Sequence, residues 1–268
     1  MAPTTLEVEI RDHVGFVWFN RPDIRNALNE TVLKELTAAL KALEKDKAVR
    51  AVMLGGRGTA FCAGADLNWM KRAAGFTKAQ NQKDAVALAN TLYALYALKK
   101  PTVARIHGPA YAGGMGFAAA CDIAVASTEA SFCLSETRLG LIAATISPYV
   151  VRAMGERAAS RYFLTAERFD AAEAYRIGFV QELAQPEKLD ETVDQMLAHL
   201  LNAGPAALDK TKQLLQLVGG SKLTSAVRAE TARRIADIRA SAEGREGIAS
   251  FLEKRKPKWV TDLNPSAK

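Results

Sequence analysis

Between the strand-like run TVARIHG (102–108) and the next one, DIAVAS (122–127), the chain has little more than a glycine turn and a short apolar stretch, GGMGFAAAC (113–121). This spacing limits the fold more than any other feature. Two parallel neighbours need a crossover of about a dozen residues or more, usually through a helix. Only about seven residues separate Gly114 from Cys121, where the next strand is expected to begin. Gly114 to Ala119 reads G-M-G-F-A-A and so satisfies the G-x-G-x-x-A dinucleotide fingerprint, but that match is weak by itself. A Rossmann unit also needs a full crossover helix and a strand ending in a ribose-binding acid. The short spacing and the mid-chain position speak against it. No Gly-Lys-Ser/Thr follows, so a P-loop fails as well.

The flanking segments place this turn in an α/β chain. LEVEIRD and VGFVWFN, split by Asp12-His13, alternate as a hairpin would. Asn29 is placed to cap the helix ETVLKELTAALKALEKD, in which Leu33, Leu36, Leu40 and Leu43 keep helical spacing. The buried-strand run VRAVMLGG leads into a second small-residue loop, RGTAFCAGAD (57–66). KRAAGFTKAQNQKD (71–84) reads as a polar, mobile segment before a helix that ends near Leu98, ahead of Pro101. Further on, SFCL and FVQEL read as short strands. Ser147-Pro148 reads as a cap with proline at the first helical position, and Asp170-Ala-Ala-Glu173 has capping-box spacing closed by Gly178. From Lys188 onward the pattern is helical, broken at Gly204-Pro205. The expected division is a core over residues 1–200 and a helical region over 201–268.

Composition excludes several classes. With 268 residues, 49% of them apolar, the chain can bury a large core. No run approaches the roughly 18 apolar residues of a membrane span, and MAPTTLEVEI has no signal-peptide core. A soluble, cytoplasmic protein is therefore expected. Three cysteines without ligand spacing and three histidines give no disulfide framework and no metal site. The net charge of +7 suits ordinary solubility or a polyanionic ligand, and EKRKPK (253–258) concentrates it near the end. Basic residues are not interleaved with aromatics, and no nucleic-acid-binding motif appears, so an RNA-binding role is a distant alternative.

The two small-residue turns, around Ala63-Gly64-Ala65 and around Gly113-Gly114, each follow a buried strand run. Facing each other, they could aim two N–H groups at one oxygen, as in an oxyanion hole. Glycines and alanines that merely permit close packing would read the same way, and the residues alone leave both uses open.

Six stretches in order, NRPDIRNALN (20–29), AFCAGADL (60–67), HGPAYAGGMGFAAACD (107–122), SFCLSETRLGLI (131–142), FLTAERFDAAEAYRIGFV (163–180) and EGREGIASFLEKRKP (243–257), resemble the crotonase (enoyl-CoA hydratase/isomerase) superfamily over residues 5–259. The resemblance implies a spiral of ββα units with a C-terminal helical trimerisation region, assembled as a trimer or a dimer of trimers. It implies an acyl-coenzyme A thioester as substrate and no separate cofactor. Carried over by position, the N–H groups of Ala65 and Gly113 hold the thioester oxygen, and Glu136 handles protons. Ala63, Gly64, Asp66, Leu67, Gly114 and Gly116 belong to the substrate site. Arg25 and Ala27, together with Arg21, fall where the family meets coenzyme A, and Phe251 and Lys254 fall where it reaches a neighbouring subunit's coenzyme A. His107 and Cys62 read as structural, while Trp69, Met70 and Phe76 could line the acyl pocket.

One departure stands out. Family hydratases commonly carry a first glutamate where this chain has Gly116, and the stretch beyond the second acid reads AATISP (143–148). A single carboxylate can take a proton from water and return it to carbon, and it can equally shift a proton from the α- to the γ-carbon. A Δ3,Δ2-enoyl-CoA isomerase is therefore the alternative. The stretch from Gly140 to Ala174 looks like the bacterial methylglutaconyl-CoA and isohexenylglutaconyl-CoA hydratases, which favours hydration of a branched or carboxylated enoyl-CoA. Gly116 is expected to leave room above the β-carbon for that branch.

Overall fold

The computed structural model describes residues 3–260. Asp12 and His13 take φ of 46° and 64°, the pair of left-handed residues that a tight hairpin turn requires. They close Leu6–Arg11 (β1) onto Val14–Phe19 (β2), with Arg11 opposite Val14. The side chain of Asn29 accepts from the Val32 amide and starts Glu30–Lys45 (α1), whose stripe of Val32, Leu33, Leu36, Leu40 and Leu43 is buried. Next come Ala51–Gly56 (β3), Leu67–Ala73 (α2), Lys78–Tyr96 (α3), Thr102–Ile106 (β4), Ala110–Tyr111 (β5) and Gly113–Ala120 (α4). Ile123–Ser127 (β6), Ser131–Cys133 (β7), Ser147–Thr165 (α5), Phe169–Asp170 (β8), Ala171–Arg176 (α6) and Glu182–Ala184 (β9) complete the sheet-bearing part. The rest is Leu189–Asn202 (α7), Pro205–Val218 (α8), Ser225–Ala240 (α9) and Ala242–Leu252 (α10).

Six strands form one sheet in the order β1-β2-β3-β4-β6-β9, parallel except for the first pair, and β5, β7 and β8 form a small second sheet. From β4 onward the chain steps back and forth between the two sheets, which produces the expected spiral. The expected obstacle to a crossover at the glycine turn does not hold. β4 and β6 are parallel neighbours, with Val103 opposite Ile123, and β6 starts at Ile123 rather than Cys121. All of residues 107–122 make the connection, because β5 first pairs in the small sheet and α4 then returns. Two turns of helix suffice since α4 is built from small residues and sinks into the core, with Gly114, Met115, Gly116, Phe117, Ala118 and Ala120 all buried.

Strand side chains alternate between two apolar layers. Phe19, Val52, Leu54, Ala104 and Ile106 join the core with α1 and α4, where Phe19 meets Phe61 and Phe117 edge-on at 5.8 Å. Phe16, Trp18, Met53, Val103 and Val125 face Leu189, Val193, Leu197 and Leu201 of α7. Beyond α7, Lys212 of α8 reaches back to Asp122 at 2.7 Å, and Asp122 also accepts from the Thr102 amide. The helical tail is thereby tied to the edge where β4 and β6 begin.

Two helix starts differ from expectation. Lys71–Ala73 belong to α2, and Thr77 with Gln80 forms a reciprocal capping box that starts α3 at Lys78, inside the stretch read as a polar, mobile segment. Ser147 lies within α5 rather than capping it, and its hydroxyl donates to the Ala144 carbonyl. Asp170 does cap α6 by accepting from the Glu173 amide. Among the described residues no helix is long and apolar enough to cross a membrane, and no cluster of three metal-ligating side chains occurs. Residues 1–2 and 261–268 of the expected core and tail ranges lie outside the described residues.

Candidate active site

Asn26 organises the loop that carries Ala65. This buried residue has φ 58°, and its side-chain amide donates to the carbonyls of Arg57 and Ala60 at 2.8 Å each. The loop is then laced along one edge by Ala63 N–H to Arg25 O, Leu28 N–H to Gly64 O and Asp66 N–H to Leu28 O. Along its other edge Cys62 N–H donates to Pro109 O, and Tyr111 N–H donates to Cys62 O. The two small-residue turns therefore lie side by side. Gly64 has φ 98°, which favours glycine, and a Cβ there would stand 3.3 Å from the Cβ of Ala112. A Cβ on Gly114 would run into the Cys62 carbonyl. Close packing, one of the two uses left open by the sequence, is present.

Several N–H groups of the two turns have no backbone acceptor among the described residues, those of Gly114 and Met115 at the start of α4 included. Among the described residues, the N–H groups of Ala65 and Gly113 have no protein acceptor. Gly113 is the first residue of α4, so its N–H has no partner inside the helix and lies at the positive end of the dipole. The preceding Ala112 holds φ 46° and ψ −117°, a conformation that costs roughly 1–3 kcal/mol for a residue with a Cβ. Its own N–H is fixed to the Cys133 carbonyl at 2.8 Å. The strain sets the orientation of the peptide that carries the Gly113 N–H.

β5 and β7 are parallel, with Tyr111 opposite Cys133, so the chain leaves β7 at the same end at which α4 begins. Leu134 is buried, and Glu136 then opens a 3₁₀ turn over Glu136–Leu139. One carboxylate oxygen of Glu136, Oε2, is buried with no hydrogen-bond partner. Desolvation pushes its pKa above the ordinary carboxylate range, against a smaller lowering from a backbone hydrogen bond. Arg138, two residues on, forms no ion pair with it among the described residues.

A cleft of about 640 Å³ opens beside this pair of turns, lined by Arg25, Ala27, Ala63, Ala65, Asp66 and Leu67. Each of these was expected at the substrate site. Asn68 and Lys71 also line it, and they were missed because Lys71 was assigned to a loop rather than to α2. Gly113, Gly114, Gly116 and Glu136 are not part of that lining. Arg21 touches the cleft, but its guanidinium is committed to Asp66 at 2.8 Å, while Asp66 caps α2 by accepting from the Asn68 amide at 2.7 Å. These two therefore brace the loop, and Arg25 and Lys71 are the cleft cations without an ion-pair partner among the described residues.

The other sequence candidates are placed as follows. Phe251 and Lys254 do not reach the cleft within this chain; both are exposed, Phe251 by 82%. Trp69 is buried, with its indole N–H donating to Asp84 at 3.0 Å. His107 bonds the Gly58 carbonyl through Nε2 and is structural. Cys62 is fully buried, and burial raises its thiol pKa to about 12, so it is a packing residue. The room expected beside Gly116 is absent: a Cβ there would collide with Cγ2 of Ile146. Nothing in the local sequence pattern pairs residues 116 and 146.

The model of the family described as enoyl-CoA hydratase/isomerase matches residues 9–262. The chain belongs to this family. Its fold is the crotonase fold, as in the crystal structure of an enoyl-CoA hydratase from Shewanella pealeana, which is 38% identical with a TM-score of 0.94 over 96% of this chain and 97% of that one. A 2,3-dehydroadipyl-CoA hydratase of Escherichia coli is 32% identical over 94% of this chain and 97% of its own. A crotonyl-CoA hydratase of Syntrophomonas wolfei is 30% identical over 97% of this chain and 100% of its own. In a member of this family, N–H groups without a protein acceptor among the described residues and a carboxylate whose Oε2 is buried without a partner are suited to hold an oxygen that gains charge and to move a proton.

Proposed function

We propose that the protein is an enoyl-CoA hydratase that adds water across the 2,3 double bond with Glu136 as its sole acid–base residue. The thioester oxygen accepts from the Ala65 and Gly113 amides. As the water oxygen bonds C3, the double-bond electrons shift toward C1 and the carbonyl pair moves onto the thioester oxygen, which forms an enolate. Glu136 takes the water proton, then delivers it to C2, which restores the thioester and the carboxylate. Each oxyanion donor contributes about 3–4 kcal/mol to the transition state. A raised carboxylate pKa suits both halves of the proton transfer. Coenzyme A enters as part of the substrate, its phosphates against Arg25 and Lys71, and no further cofactor is needed. The observation that carries this reading is the buried, unpartnered Oε2 of Glu136.

For the acyl group we propose a branched or carboxylated class such as 3-methylglutaconyl-CoA, in a cytoplasmic trimer or hexamer. Support comes from the stretch Gly140–Ala174, which resembles hydratases of that class, and from the relative named for 2,3-dehydroadipyl-CoA, a thioester of a dicarboxylic acid. It does not come from a vacancy at Gly116, which Ile146 has taken. The test is product analysis in H₂¹⁸O with 3-methylglutaconyl-CoA and 3-hexenoyl-CoA side by side. Label at C3 of the first product is expected. Faster conversion of 3-hexenoyl-CoA to its 2-enoyl isomer, with little label gained by the other thioester, would make the protein an isomerase.

A further inference from the structure

We propose that Ile146 is a specificity-determining plug that closes the acyl pocket along α4. The proposal rests on the reading above that the acyl group lies beside the Gly113 amide. Gly116 stands one turn on from Gly113 in α4, and three-residue spacing makes the two neighbours on the helix surface. A Cβ at Gly116 would lie 2.8 Å from the Cβ of Ile146 and 3.5 Å from Cδ2 of Leu92, besides colliding with Cγ2 of Ile146. The isoleucine therefore occupies the volume that any side chain at 116 would take, lying directly on the helix backbone.

Ile146 is 2% exposed and Leu92 is completely buried, and neither lines the cleft beside Ala65, so the packing against Gly116 is aliphatic and closed to solvent. Ile146 also ends the stretch that Glu136 begins. That stretch is held to itself by Leu141 N–H to Glu136 O and Ser147 N–H to Ala144 O. The acid and the plug are thus delivered by one short segment, and the absent side chain at Gly116 is what lets the segment sit down on α4. An acyl chain bound at the Gly113 amide meets Ile146 one helical turn further along and has to turn away. Removing the Ile146 side chain, with no Cβ at Gly116 to refill the space, opens a blind pocket into the core.

The test uses saturated thioesters, which bind without reacting: butyryl-, hexanoyl- and decanoyl-CoA, titrated by calorimetry into the wild type, Ile146→Val and Ile146→Ala. A single methylene in an apolar pocket changes selectivity by about tenfold or more. Ile146→Val, one methylene smaller, is accordingly expected to shift the Kd ratio in favour of decanoyl-CoA by about tenfold, and Ile146→Ala by more. Folded variants whose ratios stay at the wild-type value overturn the proposal. A second readout is the melting temperature of Gly116→Ala in both backgrounds. A loss in the wild type that is recovered beside Ile146→Ala is expected, and an equal loss in both backgrounds overturns the steric pairing. A wild type that binds these thioesters yet hydrates no enoyl-CoA ends the hydratase reading and leaves the Kd ratios to decide this one.

Discussion

Replacing Glu136 by glutamine should make the protein more stable and nearly inactive at the same time. Burial holds the Glu136 pKa above its ordinary value of 4.5, so the native state keeps a proton that the unfolded chain releases. Stability contributed by this group is therefore complete below about pH 4.5. It is lost as pH rises from there to the raised native value, and it stays lost at neutral pH. At pH 7 the native protein carries a buried carboxylate oxygen without a partner, at a cost of about 1–3 kcal/mol. Glu136→Gln removes the charge and keeps the shape. Since about 1 kcal/mol moves the melting temperature of a chain this size by about 2–4 °C, a gain of about 2–12 °C is expected at pH 7. That gain should shrink toward zero at pH 4. Turnover should fall about 10²–10⁴-fold with acyl-CoA affinity retained. The assay is thermal unfolding of both proteins from pH 4 to 8, paired with kcat at saturating substrate. A variant that is less stable at pH 7, or a gain that persists unchanged at pH 4, refutes the desolvation argument. A variant that keeps more than about a tenth of wild-type kcat refutes the catalytic role.

Gly113→Pro should delete the donor, although a Cβ there meets Leu28 Cδ1 at 2.7 Å and proline restricts Ala112 before it, so the test is read only on a variant that folds. A kcat loss of about 10²–10³-fold with unchanged circular dichroism is expected, and near-normal turnover in a folded variant would move the oxyanion hole elsewhere. Arg25→Ala should raise KM for the thioester about tenfold at low salt with kcat intact, because a phosphate contact far from the reacting carbons binds substrate and transition state alike; an unchanged KM removes Arg25 from the coenzyme A site. Light scattering at micromolar concentration should return the mass of a trimer or hexamer assembled through the region after residue 200, where Leu223, Phe251 and Leu252 are 83%, 82% and 73% exposed. A monomer mass would contradict it.

Features set by neighbours in the chain were readable in the sequence. The Asn29 cap, the leucine stripe of α1, the Asp12-His13 hairpin turn and the Asp170 cap each depend on residues within a turn or two, so spacing alone reveals them. The two small-residue turns were legible for a related reason, since a loop that exposes its amides has to be built from small residues, whereas Glu136 was singled out only by the family resemblance of SFCLSETRLGLI. The departures lie where contacts span the chain. Arg21 braces Asp66 across 45 positions, which left Arg25 and Lys71 as the cleft's cations without an ion-pair partner among the described residues. The 107–122 crossover closes because β5 detours through a second sheet, and no local pattern shows which sheet a two-residue strand will join. Ala112 takes a conformation that its residue type disfavours, because the Cys133 carbonyl and the packing of two loops hold it there. Ile146 fills the space of a side chain that Gly116 does not have. Complementary volume between residues thirty positions apart leaves no periodicity in the sequence, and it becomes definite only once both segments are packed in the core.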